Sequence, residues 1–183
     1  YYPYTEEWKK FGYYKNFDVQ VGSITNINIS ERIRNFSKEV FLPYISNYLN
    51  SFSYSYHEYI VGGPPEKELI RHSTFDINDG RQSFGIQNTF SFIQEGINGK
   101  EQNTDNIKQR AESQVRGIIG FLEFIYKNKE QLKTLISVER NKLRTYKLNE
   151  NVSIQQKHIT IGKELKLKLL SEYSKQDTTI EVN

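Results

Sequence analysis

From about Asn106 to Asn128 the chain carries one sustained helical period. Ile107, Ala111, Val115, Ile118, Leu122 and Ile125 recur at steps of three and four, the spacing that gathers apolar side chains on one face of a helix. Shortly before it, Phe90-Ser91-Phe92-Ile93-Gln94-Glu95 alternates with period two until Gly96 ends the run, which reads as a strand. A strand followed by a long one-faced helix has to bury that face on a sheet or on other helices. The stripe from Ile107 to Ile125 is therefore the predicted buried face, and the fold class is α/β, a mixed β-sheet with flanking helices.

The remaining segments fit around this pair. Residues 1–29 read as a loop-rich lead-in containing a short strand at Asp18-Val19-Gln20-Val21. A second helix starts at Ser30, with Ile33, Phe36, Val40, Tyr44 and Tyr48 as its stripe and Phe41, Ile45 and Leu49 widening it. Pro43 lies inside this pattern and is expected to kink or split the helix. Tyr54 to Val61 reads as a strand stopped by Gly62-Gly63-Pro64-Pro65, and Asp76 to Arg81 has a tight-turn composition. A more polar helix continues through Leu132, Ile136 and Leu143. From 149 to 183 the period changes to two, at Val152 and Ile154, Ile159 and Ile161, Leu165, Leu167 and Leu169, then Ile180 and Val182. The expected division is a main unit over 1–148 and a short β-rich tail, the start of a second domain, over 149–183.

Composition excludes several functions. Aromatic residues make up 14% of the 183, mostly 13 Tyr and 11 Phe, too many for a chain that stays disordered for want of apolar surface. The absence of Cys removes disulfides, thiolate metal sites and cysteine nucleophiles. Twenty-five basic against 22 acidic residues leave +3, with the charges dispersed among acids on the helices, so a basic nucleic-acid footprint is not expected. No apolar run reaches the roughly 20 residues of a membrane-spanning helix. The chain contains no Met and opens on Tyr1-Tyr2-Pro3-Tyr4 without a signal-peptide pattern, so it is read as a piece of a longer protein.

The histidines do not form a metal motif. His57-Glu58-Tyr59-Ile60-Val61 lacks the second His of the His-Glu-x-x-His helix, His72 lies in a polar connection, and His158 stands far away in the tail. All three read as ordinary histidines. Asp76-Ile77-Asn78-Asp79-Gly80 places its glycine one position early for a calcium loop, and Gln87 holds the twelfth position where an acid is required. No phosphate-cradling glycine loop or nucleophile elbow is present.

The stretch from His72 to Gly99 is different. Gly80-Arg81, Phe84-Gly85-Ile86 and Asn88 lead into the strand that ends at Glu95, with a polar loop and the long helix from Asn106 behind it. This ordered set resembles the end of the catalytic domain in the M14 family of zinc carboxypeptidases, over roughly residues 70–128. The β-rich tail also looks like the all-β appendage that some bacterial members carry.

The resemblance implies a zinc-dependent hydrolase that releases C-terminal residues from peptides, with Glu95 as general base and then acid. A carboxylate at a strand end is held rigidly, as proton transfer to and from water and a leaving amine requires. It makes Arg81 the candidate for holding the substrate's terminal carboxylate, because a guanidinium grips a carboxylate through two parallel bonds; bracing the pocket loop is the other role open to it. The family's zinc is held by a His-x-x-Glu pair and a later His on segments that precede the matched region, so the ligands are expected upstream of Tyr1. The family's covering-loop Tyr has no counterpart between Pro64 and Phe90, and Ile97 stands where many members place an Arg. The family's habits also imply a secreted or periplasmic protein. A partial catalytic domain is expected to self-associate or to need a missing N-terminal segment. The alternative is a noncatalytic α/β module that binds peptides or glycans without cutting them.

Overall fold

The computed structural model describes residues 17–62, 67–68, 70–97, 106–145 and 151–157, and the backbone of 165–170 and 177–182. Its elements run β1 (Val19–Gly22), α1 (Glu31–Asn35), a π-helical turn (Phe36–Phe41), α2 (Leu42–Ser51), β2 (Tyr56–Glu58), β3 (Ile60–Val61) and β4 (Arg71–His72). Then come α3 (Gly80–Gly85), β5 (Ile93–Gly96), α4 (Ile107–Lys127), α5 (Lys129–Arg144), β6 (Leu165–Leu170) and β7 (Asp177–Val182). This is a mixed α/β arrangement with flanking helices.

Strand β1 is central in a three-stranded sheet of order β2-β1-β5. It pairs parallel to β2, which the chain reaches through the helices between them, and antiparallel to β5. A parallel partner needs such a crossover, whereas an antiparallel one does not. All four residues of β1 are buried, so both faces of the sheet are covered here. Val19 and Val21 project into a core formed with Ile33, Phe41, Ile45, Leu49 and Phe124. Phe41, 1% exposed, is the hub, with ring centroids of Phe92, Phe121 and Phe124 at 4.1, 4.5 and 5.1 Å.

The split expected near Pro43 takes the form of a change in helix type. Residues 36–41 form the π turn, and an α-helix resumes at Leu42 with Pro43 as its second residue, so the helical backbone runs on through the proline, whose missing N–H falls at the junction of the two helix types. A π turn adds one residue to the local period, which moves the buried face. Ile33, Phe41, Ile45 and Leu49 are buried, whereas Val40 is 43% exposed and Tyr44 and Tyr48 only pack against the core.

Helix α4 spans the predicted residues, but its buried stripe is not the predicted one. Ser113, Gly117, Gly120 and Phe124 face inward, while Ile107, Val115, Ile118, Leu122 and Ile125 are exposed. The reason is close approach. A Cβ on Gly117 would lie within 2.2 Å of the Gln94 side chain, and one on Gly120 within 2.6 Å of Ile45. Small residues let the helix axis settle onto β5 and α2 where the larger aliphatics would not fit.

Helix α5 buries Leu132, Leu135 and Glu139. The Glu139 carboxylate accepts hydrogen bonds from Ser30 Oγ (2.9 Å), Arg32 Nη1 (3.0 Å) and Lys142 Nζ (2.9 Å). Burial pushes its pKa up, but those three donors and their charges outweigh burial and hold it below the usual range. In the tail, β6 and β7 form an antiparallel pair. Residues 151–157 are not a strand: Ile154 is 98% exposed, and Ser153 and Gln156 hydrogen-bond Asn28 and Asn26. Ile159, Ile161, His158, the 148/149 boundary and residues 1–16 lie outside the described residues. No helix among the described residues is long and apolar enough to cross a membrane.

Candidate functional site

The register of β5 on β1 sets which side chains share a face. Glu95 lies opposite Gln20, and Ile93 opposite Gly22; directly opposed residues in an antiparallel pair project to the same side. Glu95 and Ile93 therefore stand on the face away from Val19 and Val21, while Phe90 and Phe92 pack into the core beneath α4. The predicted separation of Phe90 and Phe92 from Ile93 and Glu95 is observed, although strand pairing begins only at Ile93. Glu95 is half-buried, at the carboxyl end of a strand whose partner is buried throughout.

Tyr59 and Arg81 come to this face from elsewhere in the chain. Tyr59 sits between β2 and β3, and its amide donates to Val21 O at 3.0 Å, which continues the parallel ladder and places its side chain on the face of Gln20 and Gly22. The Glu95 carboxylate lies close enough to the Tyr59 phenol to raise its pKa. The Arg81 guanidinium carbon lies 5.8 Å from the Tyr59 ring centroid. Gly22 makes room for all three groups: a Cβ there would come within 2.5 Å of Arg81 Nη1, 2.8 Å of Tyr59 Cβ and 2.9 Å of Ile93 Cγ2.

Arg81 is 5% exposed. Its Nε lies 3.4 Å from Asp79 Oδ1, and Nη2 donates to Thr74 O at 3.5 Å. Asp79 caps α3, accepting from the amides of Arg81 and Gln82 at 3.0 and 3.2 Å, as a carboxylate at a helix start does. The predicted turn around Asp76–Arg81 is thus the first turn of a short helix. Gln82, fully buried, accepts from the amides of Thr25 and Asn26 and donates to Thr25 Oγ1 and Thr74 O.

The other motif positions have structural roles. Gly85 lets Ile24 and Ile29 approach to 2.7 Å of where a Cβ would be. Asn88, in the left-handed region at φ 51°, accepts from Ser30 N at 2.9 Å and donates to Glu139 O at 3.0 Å. Left-handed backbone favours Asn among non-glycine residues. The motif therefore ties the starts of α1 and α3 to α5 and brings Arg81 beside the strand end.

The electrostatics suit proton transfer. Burial raises the Tyr59 pKa, and the adjacent Glu95 carboxylate raises it further while Arg81 opposes, so the phenol is neutral near neutral pH and can donate. Burial lowers the Arg81 pKa, with the Asp79 carboxylate acting against it. Together they present a half-buried carboxylate near a neutral phenol, with a guanidinium behind the ring. Such a group can take a proton from one partner and return it to another.

The histidines stay apart. His57 packs on Phe17 with ring centroids 4.6 Å apart, and His72 Nδ1 lies 3.7 Å from Glu58 Oε1. Among the described residues there is no group of three His, Asp or Glu side chains that could hold a metal, so these residues do not fit a zinc ion. Tyr59 went unrecognised in the sequence because a tyrosine was sought after Pro64. The break in the alternation at Tyr59 is the signal that points to it. No protein-family model, curated protein or solved structure matches this chain.

Proposed function

We propose that this chain contributes the proton-transfer end of a zinc-dependent carboxypeptidase, acting on the C-terminal residue of a peptide. The observation that carries the reading is Glu95: a carboxylate at the carboxyl end of a strand, half-buried, near the Tyr59 phenol and on a face shared with Arg81. It is supported by the ordered motif from Gly80 to Glu95.

In this reading the Glu95 carboxylate accepts a proton from the water that adds to the scissile carbonyl. It then delivers that proton to the departing nitrogen as the C–N bond breaks, which frees the amine and restores the carboxylate. Tyr59, whose phenol lies near the carboxylate, would orient it through its hydroxyl. A zinc ion would supply Lewis-acid activation of water and carbonyl; the described residues offer no ligand set for it. Of the two roles open to Arg81, burial and its contacts to Asp79 and Thr74 support bracing the turn beside Glu95 over gripping the substrate.

The test uses the full-length protein loaded with zinc and a peptide offered with a free or an amidated C-terminus. Release of the terminal residue from the free form alone is expected. Arg81→Lys separates the two roles of the arginine: bracing predicts a loss of folded stability with KM nearly unchanged, whereas carboxylate binding predicts a rise in KM of tenfold or more. Binding of both peptides without hydrolysis would replace the peptidase reading with the noncatalytic module.

A further inference from the structure

Gln20 is the residue of the site's face that the fold leaves half satisfied. It is fully buried on the central strand and projects to the same side as Glu95 and Gly22, away from Val19 and Val21. Its Oε1 accepts from Ile60 N at 3.3 Å. Its Nε2 is buried too, yet among the described residues it has no hydrogen-bond partner. A donor taken out of water with nothing to serve is costly, and each such case in a folded protein asks for an explanation, a catalytic role or a bound ion among them. Arg81 Nε, the other buried donor of this face without a hydrogen bond, has the Asp79 carboxylate 3.4 Å away, so an anion already answers it.

The strand register points to the acceptor. Glu95 stands directly opposite Gln20 across the β1–β5 pair, and opposed residues have Cβ atoms about 4.5–5.5 Å apart on one face. From there a glutamine and a glutamate can meet end to end. On the other flank of β1, Gln20 is level with His57, whose Nδ1 already meets Glu58 O. Ile60, which takes the Gln20 oxygen, follows β2 on that same flank, because the Tyr59 amide before it bonds Val21 O. Oxygen and nitrogen of one carboxamide point to different sides, so the nitrogen is left for the β5 side. Gln20 has no room to move, whereas Glu95 is only half-buried.

We infer that Gln20 is a positioning residue of this site: its Nε2 donates to the Glu95 carboxylate as that side chain turns over β1. One carboxylate oxygen is then held against the sheet while the other takes and returns the proton. A hydrogen bond from a buried amide to a charged carboxylate is among the stronger kinds, and it answers the donor that is otherwise unserved. What the contact does rests on the peptidase reading; the contact itself rests on the strand register and the orphaned donor, so the two are tested separately.

The contact is read from the side-chain amide resonances of the full chain with nitrogen-labelled glutamine, the Gln20 signal being assigned by its loss in Gln20→Met. A Gln20 amide proton displaced downfield in the wild type, returning in Glu95→Leu and unmoved by His57→Phe, is expected. Glu95→Ser serves if Glu95→Leu loses its circular dichroism. A signal that ignores Glu95 substitution, or that follows His57 instead, overturns the inference. The role is read from single-turnover cleavage by the zinc-loaded full-length protein. Gln20→Met should slow bond cleavage about tenfold or more, the worth of one hydrogen bond to a charged group, with peptide affinity little changed. In the Glu95→Gln background the same substitution should add nothing. Equal slowing in both backgrounds would show a merely structural glutamine and overturn the positioning role. Absence of cleavage by the wild type, with the amide signal still displaced, would sink the peptidase reading and support the contact.

Discussion

Gly22→Ala is the most informative single substitution, because Gly22 is where the sheet and the three site groups meet. The added methyl would lie 2.5 Å from Arg81 Nη1, 2.8 Å from Tyr59 Cβ and 2.9 Å from Ile93 Cγ2, all closer than nonbonded carbon or nitrogen can come without movement. Arg81 has little freedom to withdraw, since its side chain is 3% exposed and held by Asp79 and Thr74. Tyr59 Cβ and Ile93 Cγ2 are fixed close to their backbones. Overpacking of this kind costs about 1–3 kcal/mol. Against it stands a gain of about 0.5–1 kcal/mol, because alanine loses less backbone entropy than glycine on folding and the φ here is ordinary. The net expectation is a destabilisation of about 1–2 kcal/mol, read as a lower urea midpoint at unchanged m-value. Ile93→Leu removes the branch at Cβ, so the double variant should recover about 0.5–1 kcal/mol of the loss in a double-mutant cycle. A neutral or stabilising Gly22→Ala would refute the crowding of Tyr59, Arg81 and Ile93 around β1.

Three further outcomes follow from the same structure. Phe41→Ala should cost about 3–5 kcal/mol in chemical denaturation, while Val40→Ala, at a 43% exposed position, stays within about 0.5 kcal/mol; the reverse order would place the buried face in the phase of a regular α-helix. Glu139→Gln should cost about 1–2 kcal/mol at pH 7 by removing its charge-assisted bonds. Because the folded pKa of Glu139 is lowered, its contribution is present above the unfolded value of about 4.3 and is lost as pH falls through the folded value. The gap between wild type and variant, followed by urea melts, should therefore close in acid. Tyr59 behaves oppositely: its raised pKa keeps its contribution intact below about pH 10 and loses it as pH rises from there toward the folded value. Tyr59→Phe should accordingly show a shallower loss of stability than wild type between pH 9 and 11.

The sequence revealed element types better than the way they face. Helix α4 was legible end to end because its apolar period is long and regular, yet the periodic stripe lies outward and the small residues Ser113, Gly117 and Gly120 lie inward. Hydrophobic pattern measures which face is greasy, whereas packing here is decided by how closely two backbones can approach, and a glycine carries no weight in the pattern. The first helical segment failed in phase for a related reason, since a π turn inserts one residue and no local composition announces it. The tail was half legible: β6 and β7 pair as the alternation of leucines suggests, but Val152 and Ile154 belong to an extended stretch held by Asn26 and Asn28.

At the site, Glu95 and Arg81 could be chosen from an ordered motif, and both lie near β1 and β5. Tyr59 could not be chosen that way. It lies beside Gly22 on the face of Glu95 because β2 runs parallel to β1, a relation between strands distant in sequence. Asn88 was legible only as a motif letter, and Gln82 not at all. Their buried hydrogen bonds, to Ser30 and Glu139 and to Thr25, Asn26 and Thr74, explain why amides stand there.

Single-turnover hydrolysis by the zinc-loaded protein tests the proposed chemistry of Glu95 most directly. Glu95→Gln keeps the size and polarity of the side chain while removing its ability to carry the proton. A fall in the rate of bond cleavage of about 10²–10⁴-fold, with peptide affinity changed less than about threefold, is the predicted result. Cleavage at the wild-type rate by the glutamine variant would contradict the assignment.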